Sequence, residues 1–151
     1  MRKFEFKLQS LLRVKELLEK QLMGELGVIE KKVFDLNLIV DTTYKNINEY
    51  ASRYNELVNK GTDMDTINTY KNYFIHLNKL LKETAIKLEA ANKEKVLCQQ
   101  KIEKVMSERK AIENLKENQY KEYLVELQLE QDKAIDDIIS YKTNIAGIED
   151  K

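Results

Sequence analysis

The strongest constraint on the fold is the spacing of apolar residues, which recur alternately three and four positions apart along most of the chain. Between Leu26 and Leu57, nine of the ten positions at this step are apolar or aromatic. A strand would instead need apolar residues at every second position. A second series runs from Ile67 to Ile112, and charged residues enter it from Lys95 onward. Both series predict long helices that carry the a and d positions of a coiled coil.

The one strong turn signal lies between these two series. Gly61 can adopt the left-handed conformation that ends a helix. Thr62, Asp63 and Asp65 can each cap the N-terminus of the helix that follows. The chain has no proline and four glycines, so other turns are not expected. We therefore predict an all-α protein in which two long helices form an antiparallel coiled-coil hairpin.

The predicted hairpin is a single domain that spans residues 1–151. Helix 1 is expected at about residues 3–59, the turn at about 60–64 and helix 2 at about 65–142, with a frayed tail at 143–151. The estimates follow the first and last residues that keep the apolar spacing.

Two stretches depart from regular spacing. Consecutive steps of four around Leu22, together with Gly24 and Gly27, predict a soft or bent segment near residues 22–28. Beyond Leu115 the apolar residues no longer keep one phase. Because both termini lie far from the turn and are least regular, we expect them to be the least stable part of the hairpin and to become ordered on a partner.

The charge balance argues against a nucleic-acid partner. Twenty-six basic residues face 26 acidic ones, so there is no basic excess to bind phosphates. The opening residues lack the apolar run of a secretory signal, and no window is apolar enough to span a membrane. The single cysteine, Cys98, suits a reducing compartment. We expect a cytoplasmic protein.

The residues that could carry chemistry are few and scattered. His76 is the only histidine, and its position beside the a/d series predicts a solvent-edge side chain. Cys98 falls on the series, where a small buried thiol is expected. Paired carboxylates such as Asp136 and Asp137 have no histidine near them in sequence, and no glycine-rich phosphate loop exists. We therefore expect no enzymatic activity, no cofactor, no metal and no small-molecule substrate.

The tyrosines concentrate toward the turn. Five of the eight lie within about 20 residues of Gly61. One interpretation is that their rings fill the interface between the helices. The other is that they form an aromatic contact patch, since tyrosine offers a large ring and a polar tip. The sequence leaves both interpretations open.

Four short motifs follow one another along nearly the whole chain. They are Phe4-x-Phe6-x-Leu8-x-x-Leu11-Leu12-x-x-Lys15, Tyr50-x-x-x-Tyr54, Tyr70-x-x-Tyr73-x-x-x-Leu77 and Glu130-x-x-Lys133-x-Ile135-Asp136-Asp137-Ile138. Together they resemble the flagellar FliJ family, a cytoplasmic component of the bacterial flagellar protein-export apparatus. The family tail usually reads Asp-Glu where this chain has Asp136-Asp137.

The resemblance implies a non-catalytic stalk and adaptor of flagellar type III export. Members of the family are hairpins similar to the central stalk subunit of rotary ATPases. The implied partners are the hexameric export ATPase, a membrane export-gate subunit and export chaperones, which such proteins have been viewed as escorting. The implied location is the cytoplasm, at the inner face of the cell membrane at the flagellar base.

The resemblance also implies two sets of partner-binding residues. The set implied to contact the export gate is Thr43, Ile47, Tyr50, Tyr54, Tyr73, Leu77, Leu80 and Thr84. The set implied to face the ATPase ring is Phe4, Leu8, Leu11, Leu18, Leu124, Leu127, Ile135 and Ile138. Leu80 and Thr84 depart from the small and imidazole side chains associated with those places in the family.

Two alternatives to this function remain open. The chain could be a structural coiled-coil scaffold or homodimer without an ATPase partner. It could also serve as the related stalk of an injectisome, which the sequence does not distinguish from the flagellar protein.

Overall fold

The computed structural model describes residues 2–149, which contain two helices and no strand. Helix α1 spans Gln9–Lys60 and helix α2 spans Met64–Glu149. The prediction of an all-α protein built from two long helices is confirmed. Neither helix contains, within the described residues, a stretch long and apolar enough to cross a membrane.

Residues 61–63 form the turn between α1 and α2. Gly61 has a φ of 87°, and its N–H bonds the carbonyl of Val58 at 3.3 Å, which closes the last turn of α1. Of the three candidate caps, Asp63 caps α2, because its carboxylate accepts the N–H of Thr66 at 3.2 Å. Hydrogen bonds from Thr66 lower the pKa of Asp63 below 3.8.

The predicted helix boundaries were wrong at both outer ends. Helix α1 begins at Gln9 rather than near residue 3, because residues 2–8 alternate polar and apolar side chains and run in an extended form followed by a turn. Helix α2 continues to Glu149 rather than ending near residue 142, so residues 143–149, expected as a frayed tail, belong to the helix. Apart from Gly147, this stretch contains nothing that breaks a helix. Residues 150 and 151 lie outside the described part of the chain.

Contacts divide the chain into two compact units, each built from both helices. The turn unit is Glu19–Lys104, and the terminal unit joins residues 2–18 to residues 105–149. Within the turn unit, Cys98 Sγ lies 3.5 Å from the carbonyl oxygen of Leu22. Within the terminal unit, Lys15 Nζ lies 2.6 Å from Glu108. In both cases the partners are nearly equidistant in sequence from Gly61, which makes the pairing antiparallel.

In the turn unit, the a/d positions form the interface that the spacing predicts. Every position of the series from Leu26 to Leu57, and of the second series up to Ile102, is buried or half-buried. Two of the buried side chains are small, since Ala91 is fully buried and Cys98 is 5% exposed. Helix α1 remains helical through residues 22–28, where the sequence predicts a soft or bent segment.

In the terminal unit, charged residues at interface positions form ion pairs. Lys15 bonds Glu108 across the two helices, and Arg109 bonds Glu113 at 2.8 Å along α2. Both cations are half-buried, so their aliphatic stems cover apolar surface while the charged ends reach carboxylates at the edge. Ion pairing therefore accounts for Lys15 at an interface position of α1 and for Arg109 in the second series.

Leu8 and Leu11 do not lie in the interface between the helices. Both side chains are exposed, whereas Phe6 and Leu12 are buried. Helical spacing cannot be extended upstream of Gln9, because the chain is not helical there. Within α1, Leu12 lies at helical spacing from Lys15 and Leu22 and, like them, faces α2.

Replacing Gly61 and Gly24 by alanine should change stability in opposite directions. No neighbouring group lies within 4 Å of the Cβ that either substitution adds. Gly61→Ala forces a β-carbon onto a positive φ and should lower the free energy of unfolding by about 1 kcal/mol. Gly24→Ala, inside α1, should raise it by about 1 kcal/mol. Denaturant unfolding followed by circular dichroism measures both, and a loss of stability in Gly24→Ala would contradict this account of α1.

Candidate protein-interaction surfaces

The first candidate surface is an aromatic cluster in the turn unit, formed by Tyr50, Tyr54, Tyr70, Tyr73 and Phe74. The rings of Tyr50 and Tyr73 have centroids 4.3 Å apart, and those of Tyr54 and Tyr70 are 5.9 Å apart. Further contacts join Tyr50 to Tyr70 and Tyr54 to Phe74. The rings come from both helices, so the cluster links α1 to α2 close to the turn.

This aromatic cluster is half-buried, so its rings both fill the interface between the helices and remain partly exposed. All five rings retain partial exposure while packing on one another. At the cluster edge, the Arg53 guanidinium lies 5.4 Å from the Tyr50 ring centroid, and the exposed His76 ring lies 6.5 Å from that of Tyr73. The rings therefore stabilise the hairpin and still present a polar-edged aromatic surface.

Three of the eight residues implied to contact the export gate do not lie on a surface. Thr43, Leu77 and Thr84 are each less than 5% exposed. The Thr43 hydroxyl donates to the carbonyl of Ile39 at 2.7 Å, which satisfies it within its own helix. These three residues pack between the helices, and direct contact with a partner stays a prediction for all eight. The other five residues of the set are half-buried, namely Ile47, Tyr50, Tyr54, Tyr73 and Leu80.

The second candidate surface lies in the terminal unit and begins with the extended segment at residues 2–8. The Phe4 ring contacts Tyr120 and Tyr123, with centroids 5.2 and 5.6 Å away. The Tyr123 hydroxyl donates to the carbonyl of Arg2 at 2.9 Å. Phe6 is buried, with Lys116 Nζ 6.0 Å from its ring centroid. The segment thus covers one face of α2 as far as Tyr123.

Beyond Tyr123 the same helix loses its cover. All side chains from residue 128 to residue 148 are exposed, a length of roughly 30 Å at 1.5 Å per residue. Large apolar side chains are among them, including Ile135 and Ile138. Soluble helices normally bury such residues, so their exposure here marks an interaction surface.

Beyond Leu115 the apolar residues do not share one phase, but one subset of them does. From Tyr120 this subset keeps the a/d step, and its positions from Leu124 onward are called the tail stripe here. The tail stripe comprises Leu124, Leu127, Gln131, Ala134, Ile138, Tyr141, Ile145 and Ile148. Ile135 lies immediately beside the stripe, whereas Val125, Leu129 and Ile139 lie on other faces of α2.

The residues implied to face an ATPase ring divide between these two parts of the terminal unit. Phe4 and Leu18 are half-buried, and Leu8 and Leu11 are exposed near the start of α1. Leu124 and Ile138 belong to the exposed tail stripe, in which Leu127 is half-buried. Ile135 is exposed immediately beside the stripe. All eight lie in one unit, although the sequence places them more than 100 residues apart.

A family model described as "Flagellar FliJ protein" matches residues 4–145, which is nearly the whole chain. The chain belongs to the FliJ family. Membership implies a role related to flagellar export, and the family is a non-catalytic component of that process. Among curated proteins and solved structures, no match to the chain was found.

One groove of this FliJ-family chain is lined by a single helix. It has a volume of about 690 Å³, runs along α2 and includes Leu88, Val96 and Leu97. Every side chain that lines it comes from one helix, so no group from a second element meets a bound molecule. The described residues contain no group of three side chains able to hold a metal ion.

Removing the Tyr50 ring should destabilise this FliJ-family hairpin. Tyr50→Ala deletes contacts with Tyr70 and Tyr73 and should lower the free energy of unfolding by about 2 kcal/mol. Tyr50→Phe, which keeps the ring, should have a much smaller effect. Tyr44→Ala is the matched control, because Tyr44 is 55% exposed on the same helix. Equal losses in Tyr44→Ala and Tyr50→Ala in thermal unfolding would contradict a stabilising role for the cluster.

Proposed function

We propose that this FliJ-family chain is a non-catalytic stalk and adaptor that binds the flagellar export ATPase ring through its terminal unit. The observation that carries the proposal is the exposed tail stripe, because it presents an apolar face, interrupted at Gln131, over several helical turns. Such a face favours binding to another protein over catalysis. The extended N-terminal segment lies beside it and adds the Phe4 ring to the same surface.

We further propose that the aromatic cluster of the turn unit binds the membrane export gate. Half-buried tyrosines lose little side-chain entropy on binding and offer both ring area and hydroxyl groups. The contact residues are Ile47, Tyr50, Tyr54, Tyr73 and Leu80, which keep some exposure. Thr43, Leu77 and Thr84 act by holding the helices together beneath them.

The same adaptor role includes escorting export chaperones at the inner face of the cell membrane. Two candidate surfaces on one chain, one in each unit, support an adaptor. The alternative function is a scaffold or homodimer that uses the tail stripe for self-association. It predicts a concentration-dependent mass above 17.8 kDa, which light scattering would detect.

Titrating the chain against the export ATPase tests the proposed function directly. The wild-type chain should raise both ATP turnover and the fraction of ATPase assembled into rings. Ile135→Asp combined with Ile138→Asp should shift the half-maximal concentration at least roughly tenfold upward, because charge is placed on the apolar contact face.

The matched control for this titration is Ile86→Asp. Ile86 is 69% exposed and lies in the turn unit, so its substitution should leave the titration unchanged. If the wild-type chain changes neither turnover nor ring formation, the stalk role is wrong. If Ile86→Asp weakens the effect as much as the tail substitutions do, the terminal unit is not the binding site.

A further inference from the structure

The tail stripe continues an interface that the chain already uses. Tyr120 and Tyr123 lie on the face of α2 that packs against the N-terminal segment. The a/d step that includes Tyr120 runs on through Leu124 to Ile148 with the same alternation of three and four. The stripe is therefore an unfilled coiled-coil interface of about three and a half heptads, and a helix is the element that fits it.

The segment of α2 that bears the tail stripe is acidic, and two of its carboxylates flank the stripe. Between residues 126 and 137 five exposed carboxylates are accompanied by one lysine. They are Glu126, Glu130, Asp132, Asp136 and Asp137, with Lys133. Glu130 and Asp137 immediately precede the stripe positions Gln131 and Ile138, which makes them g positions. Residues at e and g select the partner of a coiled coil by charge.

We propose that the tail stripe receives one amphipathic helix of another protein whose flanking e and g positions are basic. This inference rests on the proposed function, because it specifies the chemistry of the partner segment that the terminal unit binds. The apolar positions of the partner pack on Leu124, Leu127, Ile138 and Ile145. Its basic residues pair with Glu130 and Asp137 along one edge.

Charge disfavours a second copy of this chain as the occupant. In an antiparallel pair of tails, g positions face g positions, so Glu130 and Asp137 of the two copies would oppose one another. A parallel pair would bring Asp137 near Lys142 but would set Glu130 against the uncharged Ile135. A basic helix satisfies both carboxylates in either direction.

The part of α2 that is open to the partner helix is limited by the N-terminal segment, which already covers one face of α2. The N-terminal segment occupies the face as far as Tyr123, where its hydroxyl bonds the Arg2 carbonyl. The partner helix therefore begins or ends near Leu124. A stretch of helix without tertiary packing is only marginally stable, so the partner should also increase the helicity of residues 128–149.

Two synthetic helices of equal length test the proposal with the full chain. Both carry leucine at a and d, and they differ only in having lysine or glutamate at every e and g position. Isothermal titration calorimetry should show the lysine peptide binding at least roughly tenfold more tightly than the glutamate peptide at low salt. Circular dichroism of the mixture should exceed the sum of the separate spectra.

Variants of the chain distinguish binding to the tail stripe from general attraction of the lysine peptide to acidic residues. Ile138→Asp should weaken binding of the lysine peptide at least roughly tenfold. Glu130→Lys combined with Asp137→Lys should make the glutamate peptide the tighter ligand. Leu129→Asp is the control, because Leu129 is exposed on the opposite face of the same helix and its loss should not weaken binding.

Three results would overturn the inference. The first is equal binding of the two peptides, and the second is equal weakening by Leu129→Asp and Ile138→Asp. The third is a doubled mass in light scattering that Ile138→Asp abolishes, which would identify a second copy as the occupant. Selective peptide binding without any effect on the export ATPase would support the proposed helix-binding surface and contradict the ATPase role. An effect on the ATPase without peptide selectivity would support the ATPase role and contradict the proposed helix-binding surface.

Discussion

The structure depends on burial of one apolar row from each helix against the other. A chain with two helices has no further layer to form a core, so this contact supplies the hydrophobic stabilisation. In the turn unit the contact includes the small side chains of Ala91 and Cys98, which are buried between the helices. The cap at Asp63 and the positive φ of Gly61 serve the same contact, because they set the residue at which the chain reverses.

The two candidate surfaces arise from the two ways in which this contact changes along the chain. Near the turn, bulky tyrosines replace aliphatic residues, and rings that cannot be fully enclosed remain partly exposed. In the terminal unit, helix α2 keeps the a/d pattern after its cover by the N-terminal segment has ended. Residues with a structural role and residues available for binding therefore belong to the same series. Exposure, rather than residue type, separates them.

The sequence predicts most of the fold because the a/d spacing and the lone turn signal agree with each other. It fails where the backbone leaves the helix: the alternation of Phe4 and Phe6 with charged residues indicates an extended segment, and that signal was overlooked in favour of helical spacing. For the candidate sites, the a/d spacing already places Thr43 and Leu77 between the helices, whereas their implied partner contact came from the family resemblance. The tail stripe was detectable in the sequence, but the off-stripe residues Val125 and Ile135 concealed its phase.

Intramolecular cross-linking tests most directly whether the two helices of one chain pair antiparallel in this alignment. Cys98 Sγ lies 3.5 Å from the Leu22 carbonyl oxygen, and Leu22 is buried between the helices. Oxidation of Leu22→Cys should therefore yield a disulfide with Cys98 at monomer mass, whereas Met23→Cys, which is exposed on the outside of α1, should not. A disulfide found only between chains, or equal cross-linking from both positions, would contradict the hairpin.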